Sequence, residues 1–238
     1  GAYAACLYLM PSYEWLGLVL MALVWPLLWR ASLGFRMRNT SWRGVRLDFE
    51  GSLPQAYKAF LPLFLPGIAL NLLPLWIQNE AESVKLLGQW TLAISGLFML
   101  FFPWLLAKVY RFQHNGYRFA QERSALALET PMLYWLFLGI IVLFIVLGVI
   151  LIGIGAFLVK GLAWNPKIVV PVLGALGYFL SFIVVYSLAV VKTQNWLWSH
   201  TASAHVRLHS DLSFWRFFGY SALNWVLTLV TVGLYWPF

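Results

Sequence analysis

Charge is what this sequence has least of. Only 10% of its 238 residues are charged, against roughly 25% in a soluble globular domain. Acidic residues are scarcest, with 8 Asp and Glu against 16 Lys and Arg. So few ionic side chains cannot cover a soluble fold of this size when 62% of residues are hydrophobic and mean hydropathy is +0.78. A soluble domain is excluded, and an all-α polytopic membrane protein is expected. Cysteine is nearly absent as well. The single Cys6, in an apolar run, excludes an intrachain disulfide framework and any CxxC metal or redox pair. The opening GAYAACLYLM has no basic n-region, so a cleavable signal peptide is not expected. It has no initiator Met either, and the last residues, GLYWPF, carry no polar tail. The 238 residues are therefore expected to form a single membrane domain that is a fragment of a longer chain.

Patterns that carry catalysis are also missing: there is no Walker loop, GxSxG, HExxH or DxD. Ser199, His200 and Asp211 coincide with triad residue types and nothing more. The four histidines are His114, His200, His205 and His209. His205 and His209 could bind a metal beside Asp211 if their segment were helical. The Val206-Arg207-Leu208 alternation reads instead as a strand, which makes them solvated loop histidines. No histidine lies mid-span, so a haem held inside a bundle is not expected. No metal and no cofactor are expected at all. Nor is any charge found at mid-depth, because Glu14, Lys58, Lys85 and Arg216 all fall near span ends. A charge at the centre of a span costs roughly 2.5–3.5 kcal/mol and normally marks an ion or proton path, so a proton-coupled pump or voltage sensor is disfavoured.

What the chain does have is a series of apolar runs near the ~20 residues that span a bilayer. They cover Trp15–Trp29, Leu53–Ile77, Leu86–Leu106, Met132–Val159, Ile168–Val191 and Phe214–Trp236. These predict about six transmembrane helices, since irregular backbone is not tolerated against lipid. The net charge of +8 would suggest nucleic acid in a soluble protein; here it is the cytoplasmic excess of the positive-inside rule, and no nucleic-acid partner is expected. Segment 30–58 holds six basic residues, 108–129 four, and 192–216 three, while 78–85 and 160–167 are poor. The rich segments are assigned to the cytoplasm. Inside the spans, Asn71, Gln89, Thr91, Ser95, Ser181, Tyr186, Asn224 and Thr228 read as helix-packing hydrogen bonds, and Gly177 with Ser181 as a close helix contact. The second run is unusual: Pro62, Pro66 and Pro74 surround Asn71. A broken helix there could line a cavity, although such prolines also occur in purely structural membrane helices.

Three span exits read as degenerate repeats, covering about 15–52, 86–129 and 168–212, with a truncated further copy from about 213 to 238. Each has an apolar helix, then basic residues, then a polar break. A short stretch with an arginine between apolar neighbours follows, at Arg46, Arg118 and Arg207. Aromatic-proline pairs recur at Trp25-Pro26, Pro103-Trp104 and Trp236-Pro237. Proline kinks a helix and tryptophan prefers the headgroup level, so these pairs read as interfacial hinges from which a basic helix continues. Pro103-Trp104 with Ala107-Lys108, Val24-Trp25-Pro26, Asn39-Thr40 and LTLVTVGLYWPF at 227–238 carry a family likeness. The chain resembles the bacterial inner-membrane proteins typified by YjgN, a domain family of unknown function. The likeness covers nearly the whole length. It departs from the pattern at Leu27, which follows the first proline, and in the third copy, which lacks Pro-Trp. It implies a multi-pass protein of the bacterial inner (cytoplasmic) membrane and implies no activity.

The function expected is non-enzymatic: binding or moving a lipid or small amphiphile, with membrane lipids as partners. The rivals are a membrane scaffold that transports nothing and, more weakly, an enzyme acting on lipid headgroups. The expected headgroup platform is Arg46, Arg118 and Arg207, helped by Lys108 and Arg111. Its arginine forks can take a phosphate bidentately. Ordinary positive-inside charge is the competing account of the same residues.

Overall fold

In the computed structural model, residues 14–42, 44–76 and 80–235 are described. They form two compact units, one comprising residues up to Thr130 together with Thr201–Arg207, the other Pro131–His200 with Leu208 onward.

Among the described residues, the first unit has helices α1 (Glu14–Arg38), α2 (Leu53–Trp76) and α3 (Glu80–His114). Trp29 of α1 packs on Phe60 of α2, and Phe60 meets Phe112 of α3 edge-on. Such aromatic pairs add about 0.5–1.5 kcal/mol each beyond the area they bury. The Tyr57 hydroxyl donates to the Leu23 carbonyl at 2.5 Å, which ties α2 to α1. Pro26 and Pro103 do not end their helices. Both rings are fully buried, while the adjacent Trp25 and Trp104 are exposed, and each helix runs on into its basic segment.

Those continuations end on small strands. β1 (Ser41–Trp42) and β2 (Val45–Phe49) form a hairpin whose turn contains Gly44 at φ 80°, a left-handed position that glycine takes without strain. β2 pairs antiparallel with β3 (Tyr117–Phe119), and β3 with β4 (Glu122–Arg123), giving the order β1-β2-β3-β4. The register sets Asp48 opposite Arg118 and Phe49 opposite Tyr117. Strand alternation then puts Arg46, Asp48 and Arg118 on one face, and Leu47, Phe49, Tyr117 and Phe119 on the other. A separate two-stranded piece joins β5 (Ala125–Leu126) to β6 (Thr201–Ala202).

The second unit contains α4 (Thr130–Ala156), a π-helical turn (Phe157–Gly161), α5 (Pro166–Ser199) and α6 (Phe214–Val230). Asn165 caps α5 by accepting the Lys167 N–H at 3.0 Å, with Pro166 in the first turn. Gly177 lets α5 approach α4, since a Cβ there would lie 2.5 Å from Leu151. Trp225 of α6 sits edge-on to Phe179 and Phe182 of α5.

Helix is thus the dominant structure, and five of these helices are long and apolar enough to cross a membrane. The sixth differs from its sequence expectation. The run Phe214–Trp236 is helical only to Val230, because Val232 and Gly233 adopt φ 51° and 86°. Val232 N–H bonds to Leu229 O at 3.1 Å and Gly233 N–H to Thr228 O at 2.7 Å, a left-handed helix ending. At 17 residues and about 1.5 Å per residue, α6 is shorter than a ~30 Å hydrocarbon core. Trp236 and Pro237 lie outside the described residues. The second run follows the purely structural of its two readings. Pro62, Pro66 and Pro74 sit inside one continuous helix rather than at a break. Each proline removes a single backbone bond, and Asn71 spends its Nδ2 on the Gly67 carbonyl at 2.9 Å.

Candidate functional site

Ser52 and Gln55 start α2 with a reciprocal cap. The Ser52 N–H donates to Gln55 Oε1 at 3.1 Å, and the Gln55 N–H to Ser52 Oγ at 3.4 Å. This fixed start puts Gln55, Lys58 and Ala59 on one stripe of the helix. On α3, Lys108, Arg111 and Phe112 share a stripe that continues to Asn115 just beyond the helix end. The two stripes border an open cleft of about 660 Å³ in the first unit, completed by Glu50, Gly51, Ser52, Gly116 and Arg123. Four basic side chains therefore meet a single carboxylate.

Their states differ. Lys108 Nζ lies 3.6 Å above the Trp104 ring, a cation–π contact beside the exposed tryptophan. Arg111 donates to the Leu128 carbonyl at 3.0 Å and the Thr130 hydroxyl at 3.2 Å, which holds the chain as it enters α4. Lys58 is exposed and has no hydrogen-bond or ion-pair partner among the described residues. Glu50 takes Arg118 on one carboxylate oxygen and Arg123 on the other. Burial pushes the Glu50 carboxyl up, but the bonds and charges of the two arginines outweigh it and hold the group below the ordinary carboxylate range.

Phe49 forms the floor. It is buried, edge-on to Phe112 and Tyr117, and so close to Gly51 and Gly116 that a Cβ at either would lie within 2.6 Å of its ring. Beside it, His114 is buried with Nδ1 2.8 Å from the Thr201 hydroxyl, which joins the end of α3 to β6. Glu122 makes a second connection. It accepts from the Ser203 hydroxyl at 2.7 Å and the His205 N–H at 3.2 Å, and pairs with the His205 ring. Those bonds from Ser203 and His205 hold its carboxyl below the ordinary range against the pull of burial.

The structure brings Lys108 and Arg111 of the expected platform together in the cleft. The three arginines it treats differently. Arg118 is spent on Glu50 and on the Ala120 carbonyl, 2.7 Å away. Arg46 stands exposed on the same sheet face. Arg207 does not join that sheet: the expected third strand is reduced to one bridge with Ala202. Ser203 explains this, since its N–H bonds to Val206 O at 2.8 Å and closes a tight turn that folds the segment back on itself. His205 is engaged by Glu122, and among the described residues no three His, Cys, Asp or Glu side chains gather as a metal site would need. Ser199, His200 and Asp211 form no relay, as His200 Nδ1 faces the Trp196 carbonyl at 2.8 Å. Sequence reasoning missed Glu50, Lys58 and Arg123. The Ser-x-x-Gln cap was the available signal for Lys58, because it places that lysine one turn inside α2.

A second hollow, of about 400 Å³, lies along α5 and α6 and is lined by Tyr186, Phe217, Ser221, Asn224, Trp225 and their neighbours. It is mostly aromatic. The basic cleft differs from it in chemistry: it offers positive charge and hydrogen-bond donors, and its lining has neither histidine nor cysteine. It can bind an anion, and nothing in it resembles a nucleophile paired with a base.

No curated protein and no solved structure matches the chain. A family model described as a bacterial protein of unknown function, DUF898, matches residues 1–238. The chain therefore belongs to this bacterial family, the one that the resemblance to YjgN indicated.

Proposed function

We propose that this is a multi-pass protein of the bacterial inner membrane that binds the anionic headgroup of a lipid or small amphiphile at its cytoplasmic face. One observation carries the reading: Lys58, Lys108, Arg111 and Arg123 line a single cleft against one carboxylate that is already neutralised. Supporting it, the cleft lies one helical turn beyond Trp104, whose ring is suited to the headgroup level. The platform expected at Arg46, Arg118 and Arg207 is thereby replaced by a pocket that keeps Lys108 and Arg111. Arg46 and Arg207 contribute general attraction to an anionic leaflet.

Each basic residue near such a surface contributes about 1 kcal/mol, so losing Lys58 and Lys108 together should weaken anionic-lipid retention roughly 30-fold. Native mass spectrometry of Lys58→Gln/Lys108→Gln, offered phosphatidylglycerol and phosphatidylethanolamine, checks this. Equal retention of both lipids by wild type and variant would refute headgroup binding in the cleft.

A further inference from the structure

We propose that Glu50 is the resident anion of the cleft, and that its ligand is a phosphate group that takes Arg123 away from it. The inference rests on the headgroup reading and specifies its chemistry. The two arginines on Glu50 are not equivalent. Arg118 is pinned, because Nε donates to the Ala120 carbonyl and its strand is paired on both sides. Arg123 ends the two-residue β4, its side chain is 71% exposed, and Glu50 is its one charged partner among the described residues. Arg123 lines the cleft and so can turn between Glu50 and an incoming ligand. Glu50 itself is fixed, with its main-chain N–H on the Gly116 carbonyl at 2.8 Å.

This arrangement selects the ligand by charge. A free carboxylate brings one charge and two oxygens, which Glu50 already supplies without the entropy cost of association. A phosphate monoester carries about −1.5 to −2 near neutral pH with three strong acceptor oxygens. It can occupy the Arg123 fork bidentately and still reach Lys58 and Lys108, which a carboxylate of one charge cannot neutralise together. A lipid headgroup and a soluble phosphomonoester share this chemistry.

The experiment compares wild type, Glu50→Gln, Arg123→Gln and the double variant for retention of phosphatidic acid by native mass spectrometry, with glycerol 3-phosphate as a soluble competitor. Removing one repelling charge from a partly exposed site should raise phosphatidic acid retention about fivefold in Glu50→Gln. Arg123→Gln should lower it by a similar factor, and the double variant should lose the gain. Should Glu50→Gln fail to fold, Arg123→Gln leaves the Glu50–Arg118 pair in place and decides alone: undiminished retention overturns the proposal. If wild type binds phosphatidic acid and Glu50→Gln binds it no better, Glu50 is only a structural anchor and the headgroup reading survives. If wild type binds no phosphate lipid, both fall. Displacement by glycerol 3-phosphate supports the proposal with a soluble ester as ligand, and resistance to it supports the proposal with a lipid.

Discussion

Phe49 shows how one side chain governs the ground around the cleft. It closes β2, and alternation along the strand sends its ring inward and Asp48 to the opposite face. The ring needs bare backbone on two sides, which Gly51 and Gly116 provide. A Cβ at Gly116 would lie 2.3 Å from the ring, and Phe112 and Tyr117 block the ring from yielding. Gly116→Ala should therefore destabilise by about 1–3 kcal/mol, the usual cost of overpacking. A lowered melting temperature in detergent would show it, and Phe49→Leu in the same chain should restore part of the loss by making room. An unchanged melting temperature for Gly116→Ala would mean that the ring is not held as described.

Among elements, the helices were the most legible. Their apolar runs match a bilayer's thickness, and helix is the one open form that satisfies a backbone in lipid. The basic continuations of α1 and α3 beyond Trp25-Pro26 and Pro103-Trp104 were legible too, as were β2 and β3 from the arginines set between apolar neighbours. The cleft was not. Glu50 and Arg118 are separated by 68 positions, and no local period reports a contact that depends on how two hairpins meet. The end of α6 was missed because Val232 takes a left-handed conformation that a β-branched residue rarely adopts. The stretch Val206–Leu208 was overread as a strand, since it makes only the Arg207 bridge, and the arm Thr201–Arg207 is held by side chains as well as by the β5–β6 pairing. Glu122 is its main clamp, and the sign of its titration follows from its depressed pKa. The clamp contributes stability above the ordinary carboxylate pKa of about 4. That contribution is lost as pH falls through the still lower folded value. Hydrogen exchange should thus show protection of Ala202–Val206 at neutral pH and its loss in acid, whereas Glu122→Gln should lack it already at neutral pH. Full protection in Glu122→Gln would assign the docking to the His114–Thr201 contact instead.

For the whole molecule, the small strands constrain sidedness more tightly than loop charge does. Paired strands cannot be separated by a bilayer. The pairing of β2 with β3, and of β5 with β6, therefore requires the segments after α1, after α3 and after α5 to share one side. Between the second and third of these lie α4 and α5, each long enough to cross, and on the multi-pass reading proposed above two crossings bring the chain back. That reading predicts that the turn between them, with Lys160, is on the opposite side of the membrane. The proposed cytoplasmic side is the one with the basic excess near Arg36, Arg118 and Arg207, since the positive-inside rule counts Lys and Arg close to the spans. The single Cys6 keeps the test clean, because a Cys6→Ala background leaves no other thiol within these 238 residues. In that background an impermeant maleimide should label Lys160→Cys from outside intact spheroplasts, and should label Arg46→Cys and His209→Cys only after lysis. Labelling of Lys160→Cys only after lysis would invert the orientation and remove the leaflet from beneath the proposed cleft. Labelling of Lys160→Cys and His209→Cys from the same side would be more damaging, because α5 would then not cross at all.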